Sequence, residues 1–150
     1  GLSYDEVLKD AQAKGFAEAD PTADVEGIDA ANKLSILIAL AFDRYIAPGD
    51  IPTTGITAIT AKDIEEAAAQ GKKIKLIGRA SVADGKLSYQ VKPVLLDITH
   101  PLAGVSNEFN AVYITGDMVG ELMFYGRGAG PLPTGSAVCG DILAIMKRRF

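Results

Sequence analysis

Between Lys33 and Asp43 runs a stretch, Leu34 to Phe42, whose single polar residue is Ser35. It constrains the fold more than any other feature. Leu34, Ile36, Leu37, Ile38, Leu40, Ala41 and Phe42 would fall on nearly every side of a helix. A helix from Ile28 to about Tyr45 therefore needs cover on more than one face and belongs in the middle of a domain. The run is far short of the roughly 20 apolar residues that a membrane span requires, so no membrane partner is expected.

The flanking segments supply candidate cover. Ser3 with Glu6 forms a capping-box pair for a short helix from Ser3 to Lys14, stopped by Gly15. Phe16 to Gly27 follows as an acidic loop. After the Pro48-Gly49-Asp50 turn comes an extended piece, Ile51 to Ile59, and Thr60 then opens a helix over Lys62 to Gln70 that ends at Gly71. Lys73 to Val82 and Lys86 to Leu96 read as strands joined by Ala83-Asp84-Gly85, a hairpin turn. Asn110 to Thr115 and Glu121 to Tyr125 suggest a second hairpin around Gly116-Asp117, and a helix from about Thr134 to Arg149 closes the chain. This order predicts one α+β domain over residues 1–150, with an antiparallel or mixed sheet covered by helices on one face.

Charge and rare residues exclude several function classes. The net charge is -4, and Lys and Arg gather only around a turn at Lys72, Lys73 and Lys75 and at Lys147 to Arg149. Nucleic acid is therefore not an expected partner. With one cysteine, Cys139, and one histidine, His100, the chain forms no internal disulfide and no Cys/His zinc site. No metal is expected, and the compartment expected is the reducing cytoplasm. The N-terminus has no basic flank or apolar signal core, and its lack of an initiator Met suggests excision from a longer protein. His100 before Pro101 reads as a structural histidine, Cys139 as a core residue, and Tyr113, Phe124 and Tyr125 as sheet-face packing.

Candidate chemistry gathers at the start of the apolar helix. Asp29 and Lys33 are four residues apart and share a helix face, with Glu18, Asp20 and Asp24 upstream. They could form an ordinary surface ion pair with helix-capping acids nearby. That is the commoner arrangement; the sharper alternative is a polar cluster in which carboxylates bind a cationic substrate group and the lysine moves a proton. Periodicity does not separate these readings. The three glycines between Gly126 and Gly130 likewise read either as a loop needing positive φ or as backbone offered to a ligand. They do not match the G-x-G-x-x-G dinucleotide fingerprint.

The spacing of Ala11, Gly15, Phe16, Ala17, Asp20-Pro21, Asp24-Val25, Gly27, Asp29 and Lys33 resembles the homoserine dehydrogenase signature. His100-Pro101-Leu102-Ala103, Asn110-Ala111-Val112, the 126–130 glycine run and Pro133-Thr134 look like later blocks of the same family. The resemblance implies the catalytic, substrate-binding and dimerisation domain of that enzyme, without its N-terminal NAD(P)-binding Rossmann domain. It implies NADP- or NAD-dependent interconversion of L-homoserine and L-aspartate 4-semialdehyde, in threonine, methionine and isoleucine biosynthesis, by a homodimer. Matched by position, Lys33 is the proton-transfer group and Glu18 and Asp29 bind substrate, with Asp24 beside them in a supporting or helix-capping role. Gly130, with Gly128 and Ala129, is the loop that approaches the nicotinamide. The competing expectation is a dimerisation and substrate-binding module that does no catalysis alone.

Overall fold

The computed structural model describes residues 20–128 and 130–148, together with Lys9 and Gln12. The expected Ser3 to Lys14 helix lies outside the described residues except at those two positions, both helical. In chain order the elements are α1 (Thr22–Val25), α2 (Ile28–Phe42), a 3-10 turn (Pro48–Asp50) and α3 (Ala61–Ala69). Strands β1 (Lys72–Ala83) and β2 (Lys86–Asp97), a 3-10 turn (Pro101–Gly104), β3 (Phe109–Gly116), β4 (Gly120–Arg127) and α4 (Pro131–Arg148) follow. The class is α+β with antiparallel strands. Among the described residues the strands divide into two separate two-stranded ladders, β1-β2 and β3-β4.

The first hairpin pairs every residue from Lys72↔Asp97 to Ala83↔Lys86. Asp84 and Gly85 take φ of 51° and 73° between the strands, the left-handed pair that a two-residue hairpin turn requires. Lys72, Lys73 and Lys75, expected around a turn, instead open β1. Along one face the strands present Leu76, Gly78 and Ala80 opposite Pro93, Val91 and Tyr89. Against this face lies α2. Ala31, Leu34 and Ile38, spaced by three and four residues, form the buried core with Ile51 and Val91. Helix and strand meet at Gly78, where an added Cβ would already be 3.5 Å from the Leu34 Cβ. Ser35, also buried, donates from its hydroxyl to the Ile46 carbonyl, so the polar residue of the run is satisfied internally.

The all-round burial expected of α2 is not realised. Ile36 is 61% and Leu40 79% exposed, because the β1-β2 hairpin covers one side and no described element covers the other. Helix α3 packs on β1 and begins as Thr60 implies. The Thr60 side chain accepts from the Asp63 backbone N–H, and the Asp63 carboxylate accepts from the Thr60 backbone N–H at 2.8 Å. This reciprocal capping box satisfies two donors that the first turn would leave open.

His100 behaves as a structural residue. Its Nδ1 accepts from the Leu102 N–H at 3.1 Å, capping the second 3-10 turn, and its ring lies 5.2 Å from that of Tyr113. Lys75 anchors the same region by donating to the Val105 carbonyl. Phe124 and Tyr125 are exposed rather than packed, although Tyr125 stacks on Phe109 at 4.9 Å. Cys139 is exposed on α4, not in a core, since no residue of that helix is buried. Helix α4 starts at Pro131, three residues before the expected Thr134, consistent with proline's aptness for a first turn where no N–H partner is needed. Among the described residues no helix is long and apolar enough to cross a membrane.

Candidate functional site

Two loop segments and two glycines fix the start of α2. Gly27 precedes the helix with φ of 79°, and a Cβ there would lie 3.0 Å from Thr53 Cγ2 and 3.2 Å from Val91 Cγ1. Only glycine meets both demands. The extended segment after Ile51 is held on both sides. Thr54 N–H donates to the Val91 carbonyl at 2.8 Å, Val91 N–H to the Pro52 carbonyl at 2.9 Å, and Ile56 N–H to the Val25 carbonyl at 2.7 Å. Gly55 lies so close to α1 that an added Cβ would overlap the Val25 carbonyl oxygen and come 2.6 Å from the Glu26 Cα. No motif marks Gly55 in the sequence. Its role depends on a contact between segments far apart in the chain, which local pattern does not record.

On this frame Asp29 and Lys33 project from the first turns of α2. The Lys33 ammonium meets the Asp29 carboxylate at 2.5 Å, across one helical turn. Both side chains are open to solvent, at 56% for Lys33 and 46% for Asp29. The pair therefore has a surface ion pair's geometry, yet it stands beside the buried Ala31 and Leu34 at the rim of the core. Asp24 is exposed on α1, and neither N-cap residue, Pro21 of α1 or Gly27 of α2, caps its helix through a side chain. Asp20 does act as a turn residue. It accepts from the Thr22 N–H at 3.0 Å and from the Thr22 hydroxyl, and these bonds hold its carboxyl below the usual carboxylate value. Glu18 lies outside the described residues.

At the second candidate region, Gly128 follows β4 and Gly130 precedes α4, while Ala129 between them lies outside the described residues. Gly128 N–H donates to the Glu108 carbonyl at 2.9 Å, and Gly130 has φ of 117°. No hydrogen bond or ion pair among the described residues joins this loop to Asp29 or Lys33. No three His, Cys, Asp or Glu side chains among the described residues are grouped as metal ligands would be. A groove of about 260 Å³ between α3 and the first hairpin is lined by Ile59, Asp63, Ala67, Ile74 and Pro93 among others, and none of the candidate residues faces it.

Lys75 sits in surroundings that disfavour its charge. Burial, and secondarily the charge of Lys73, push its pKa below the ordinary lysine value. Its ammonium is already committed to the Val105 carbonyl, which makes it a tether between β1 and the segment leading to β3. By contrast, the side chains of Asp29 and Lys33 have no hydrogen-bond or ion-pair partner among the described residues besides each other, and they stand open to solvent.

Comparison with known proteins gives the same direction throughout. The family model described as homoserine dehydrogenase matches residues 1–143. The homoserine dehydrogenase of Bacillus subtilis is 51% identical over 144 residues, covering 96% of this chain and 33% of that protein. That of Mycobacterium leprae is 48% identical over 154 residues, covering 99% of this chain and 35% of that protein. Among solved structures, Staphylococcus aureus homoserine dehydrogenase at pH 7.5 superposes with a TM-score of 0.87 at 48% identity, over 97% of this chain and 36% of that one. A homoserine dehydrogenase from Thiobacillus denitrificans superposes with a TM-score of 0.88 at 45% identity, over 94% of this chain and 33% of that one. The chain thus spans about a third of the length of these relatives. Since the family match runs through nearly all of its residues and the fold agrees with the solved members, the chain belongs to the homoserine dehydrogenase family.

Proposed function

We propose that this chain is the catalytic and substrate-binding domain of a longer, NAD(P)-dependent homoserine dehydrogenase that interconverts L-homoserine and L-aspartate 4-semialdehyde in threonine, methionine and isoleucine biosynthesis. The observation that carries the reading is the meeting of Asp29 and Lys33 where the family signature ends, on a helix start held by Gly27 and Gly55. Both substrates carry an ammonium and a reacting carbon–oxygen group. They therefore need a carboxylate and a proton carrier together.

When bound, the nicotinamide dinucleotide supplies the hydride acceptor. Asp29, with Glu18 and Asp24, holds the substrate ammonium. Binding a second cation at Asp29 competes with Lys33 for the carboxylate and frees the lysine amine to turn toward the substrate hydroxyl. In its neutral form Lys33 accepts the hydroxyl proton as hydride leaves the same carbon, and in the reverse direction it returns that proton to the aldehyde oxygen. Gly130, where an added Cβ would have only the Pro133 Cδ at 3.7 Å beside it, leaves room for the approach of a flat ring, whereas the space over Gly128 is taken by Asn110. The rest of the cofactor site belongs to a Rossmann domain in the longer polypeptide.

A second reading applies to the chain by itself: a dimerisation and substrate-binding module without turnover. It is favoured by the solvent-open ion pair and by the antiparallel ladders, which differ from the parallel sheet that a dinucleotide-binding domain uses. Homoserine-dependent reduction of NAD or NADP, measured for the full-length polypeptide and for the chain alone, tests both. Turnover by the long form only is the expected result. No turnover by the long form would overturn the enzymatic reading.

A further inference from the structure

The two faces of the β1-β2 ladder differ in chemistry. Side chains alternate across a strand, so the register places the even-numbered residues of β1 with the odd-numbered residues of β2 on one face. That face is the apolar one. Leu76, Ala80, Leu87, Tyr89 and Val91 on it pack with α2, and Ile74, Pro93 and Leu95 line the groove beside α3. The opposite face, built from the odd-numbered residues of β1 and the even-numbered residues of β2, carries Lys73, Lys75, Arg79, Lys86 and Lys92. It holds no aspartate or glutamate. A chain with 15 cations and 19 acids thus gathers a third of its cations, and none of its acids, on one face of one hairpin.

The cations on this face are neighbours, and most of them are unengaged. Lys92 stands opposite Ile77, so Lys75 and Arg79 are its two diagonal neighbours, at about 7–8 Å. Lys73, Arg79, Lys86 and Lys92 are exposed, and their side chains have no hydrogen-bond or ion-pair partner among the described residues. Lys75 alone is committed, to the Val105 carbonyl. After burial, the charge of Lys73 is what disfavours the Lys75 ammonium, so the face repels positive charge within itself. Like charges side by side in a ladder oppose folding, and an anionic partner removes that cost.

Shape and composition select the partner. A ladder two strands wide presents a strip, not a pocket for a small anion. The strip has no aromatic side chain on which a nucleic-acid base would stack. Its larger apolar residues, Ile77, Val94 and Leu96, are half-buried and do not project as a membrane anchor would. Alternate residues of an extended chain recur at about 7 Å, the same step that separates Lys73 from Lys75 along β1. An extended segment with acids at alternate positions therefore matches the strip in both charge and period.

We propose that the outer face of the β1-β2 hairpin is a docking surface for an extended acidic polypeptide segment, held by Arg79, Lys86 and Lys92 with Lys73 at the far end. The surface lies across the ladder from α2, and the inference does not depend on the reaction proposed above.

Fluorescence anisotropy of the full-length polypeptide with a labelled, end-capped peptide of alternating Glu and Ser tests it. Binding in the micromolar range at about 0.05 M salt, lost by about 0.5 M, is expected, since exposed charges become screened over that range. Lys92→Glu and Arg79→Glu are each expected to weaken binding by about tenfold, with the unfolding temperature near wild type. Lys86→Gln combined with Lys92→Gln, which introduces no new charge, is expected to weaken it to a similar extent. Lys62→Glu makes the same change in net charge on α3 and is expected to leave binding within about twofold of wild type. A peptide with the same Glu and Ser in two blocks is expected to bind several-fold more weakly, because half of its carboxylates face away.

No binding by the wild-type polypeptide overturns the proposal. Binding that survives the variants of the face, or that falls equally with Lys62→Glu, does the same, as does equal binding of the two peptides. Phosphatidylglycerol vesicles or tripolyphosphate bound more tightly than the peptide, and released by the same variants, would assign the face to a lipid surface or a free phosphate and overturn the polypeptide partner.

Discussion

Lys33 and Asp29 form an ion pair whose geometry serves a bland role and a chemical one equally well, and substitution separates them. An exposed i,i+4 pair contributes at most about 1 kcal/mol to stability. Lys33→Ala in the full-length polypeptide is therefore expected to leave the unfolding transition nearly in place while kcat falls by roughly 10² to 10⁴, the range of a positioned proton transfer. Near-normal kcat in a folded variant would end the catalytic assignment. Glu18→Ala is expected to differ in kind, raising the KM for homoserine with little effect on the KM for the cofactor, because its proposed partner is the substrate ammonium. Steady-state kinetics with each substrate varied in turn would show it. At this scale the i,i+4 spacing alone makes the Asp29–Lys33 contact legible, and the proline beside His100 marks that histidine as structural. Gly55 is not legible in the same way, since its close approach to Val25 and Glu26 depends on backbone brought together by tertiary packing.

Aspartate–threonine pairs two or three residues apart recur along the chain. Thr60 caps α3 reciprocally with Asp63, and Asp20 and Asp97 each accept from the backbone N–H and hydroxyl of the threonine two residues on. Thr60→Ala is expected to cost about 1 kcal/mol, read from the midpoint of urea unfolding. Hydrogen bonds from threonine hydroxyls and amides hold the carboxyls of Asp20, Asp63 and Asp97 below the ordinary aspartate value of 3.8. Since the folded-state values are the lower ones, the stabilisation is present above the ordinary carboxylate value and is lost as pH falls through the folded values. The unfolding temperature should thus begin to drop below a pH near 3.8, and Asp63→Asn should make that drop shallower. An unaltered acid limb in Asp63→Asn would show that the cap does not titrate with folding. Hairpin positions are legible because Asp84-Gly85 admits few backbone conformations. The start of α4 falls three residues ahead of the expected one because a proline marks a helix start as readily as it marks a loop.

Considered whole, the molecule leaves much apolar surface open. Ile36 and Leu40 on α2, Ile114 and Phe124 on the second hairpin, and Val138 and Ile145 on α4 are all exposed. Surface of this kind marks association. The isolated chain is expected to form a symmetric dimer at tens of micromolar, roughly the range of ordinary weak association, as sedimentation equilibrium would show. A strictly monomeric chain at that concentration would count against it. Ile38, fully buried between α2 and the first hairpin, provides the internal contrast. Ile38→Ala should destabilise the fold by about 2–5 kcal/mol, whereas Leu40→Ala should leave the monomer's stability almost unchanged.

Whatever depends on neighbours along the chain is readable from the residues alone: the α+β order, the two hairpins, the Thr60 cap, the family membership and the pairing of Asp29 with Lys33. Helical periodicity, turn dihedrals and motif spacing are local quantities, and they survive without knowledge of the fold. Tertiary packing was needed to settle which side of the apolar helix is covered, that the strands form two ladders, and that Cys139 and Phe124 face outward. The run from Leu34 to Phe42 states how much apolar surface needs cover but not what provides it. Within this fold the β1-β2 hairpin reaches one face alone, because a two-stranded ladder is too narrow to wrap a helix.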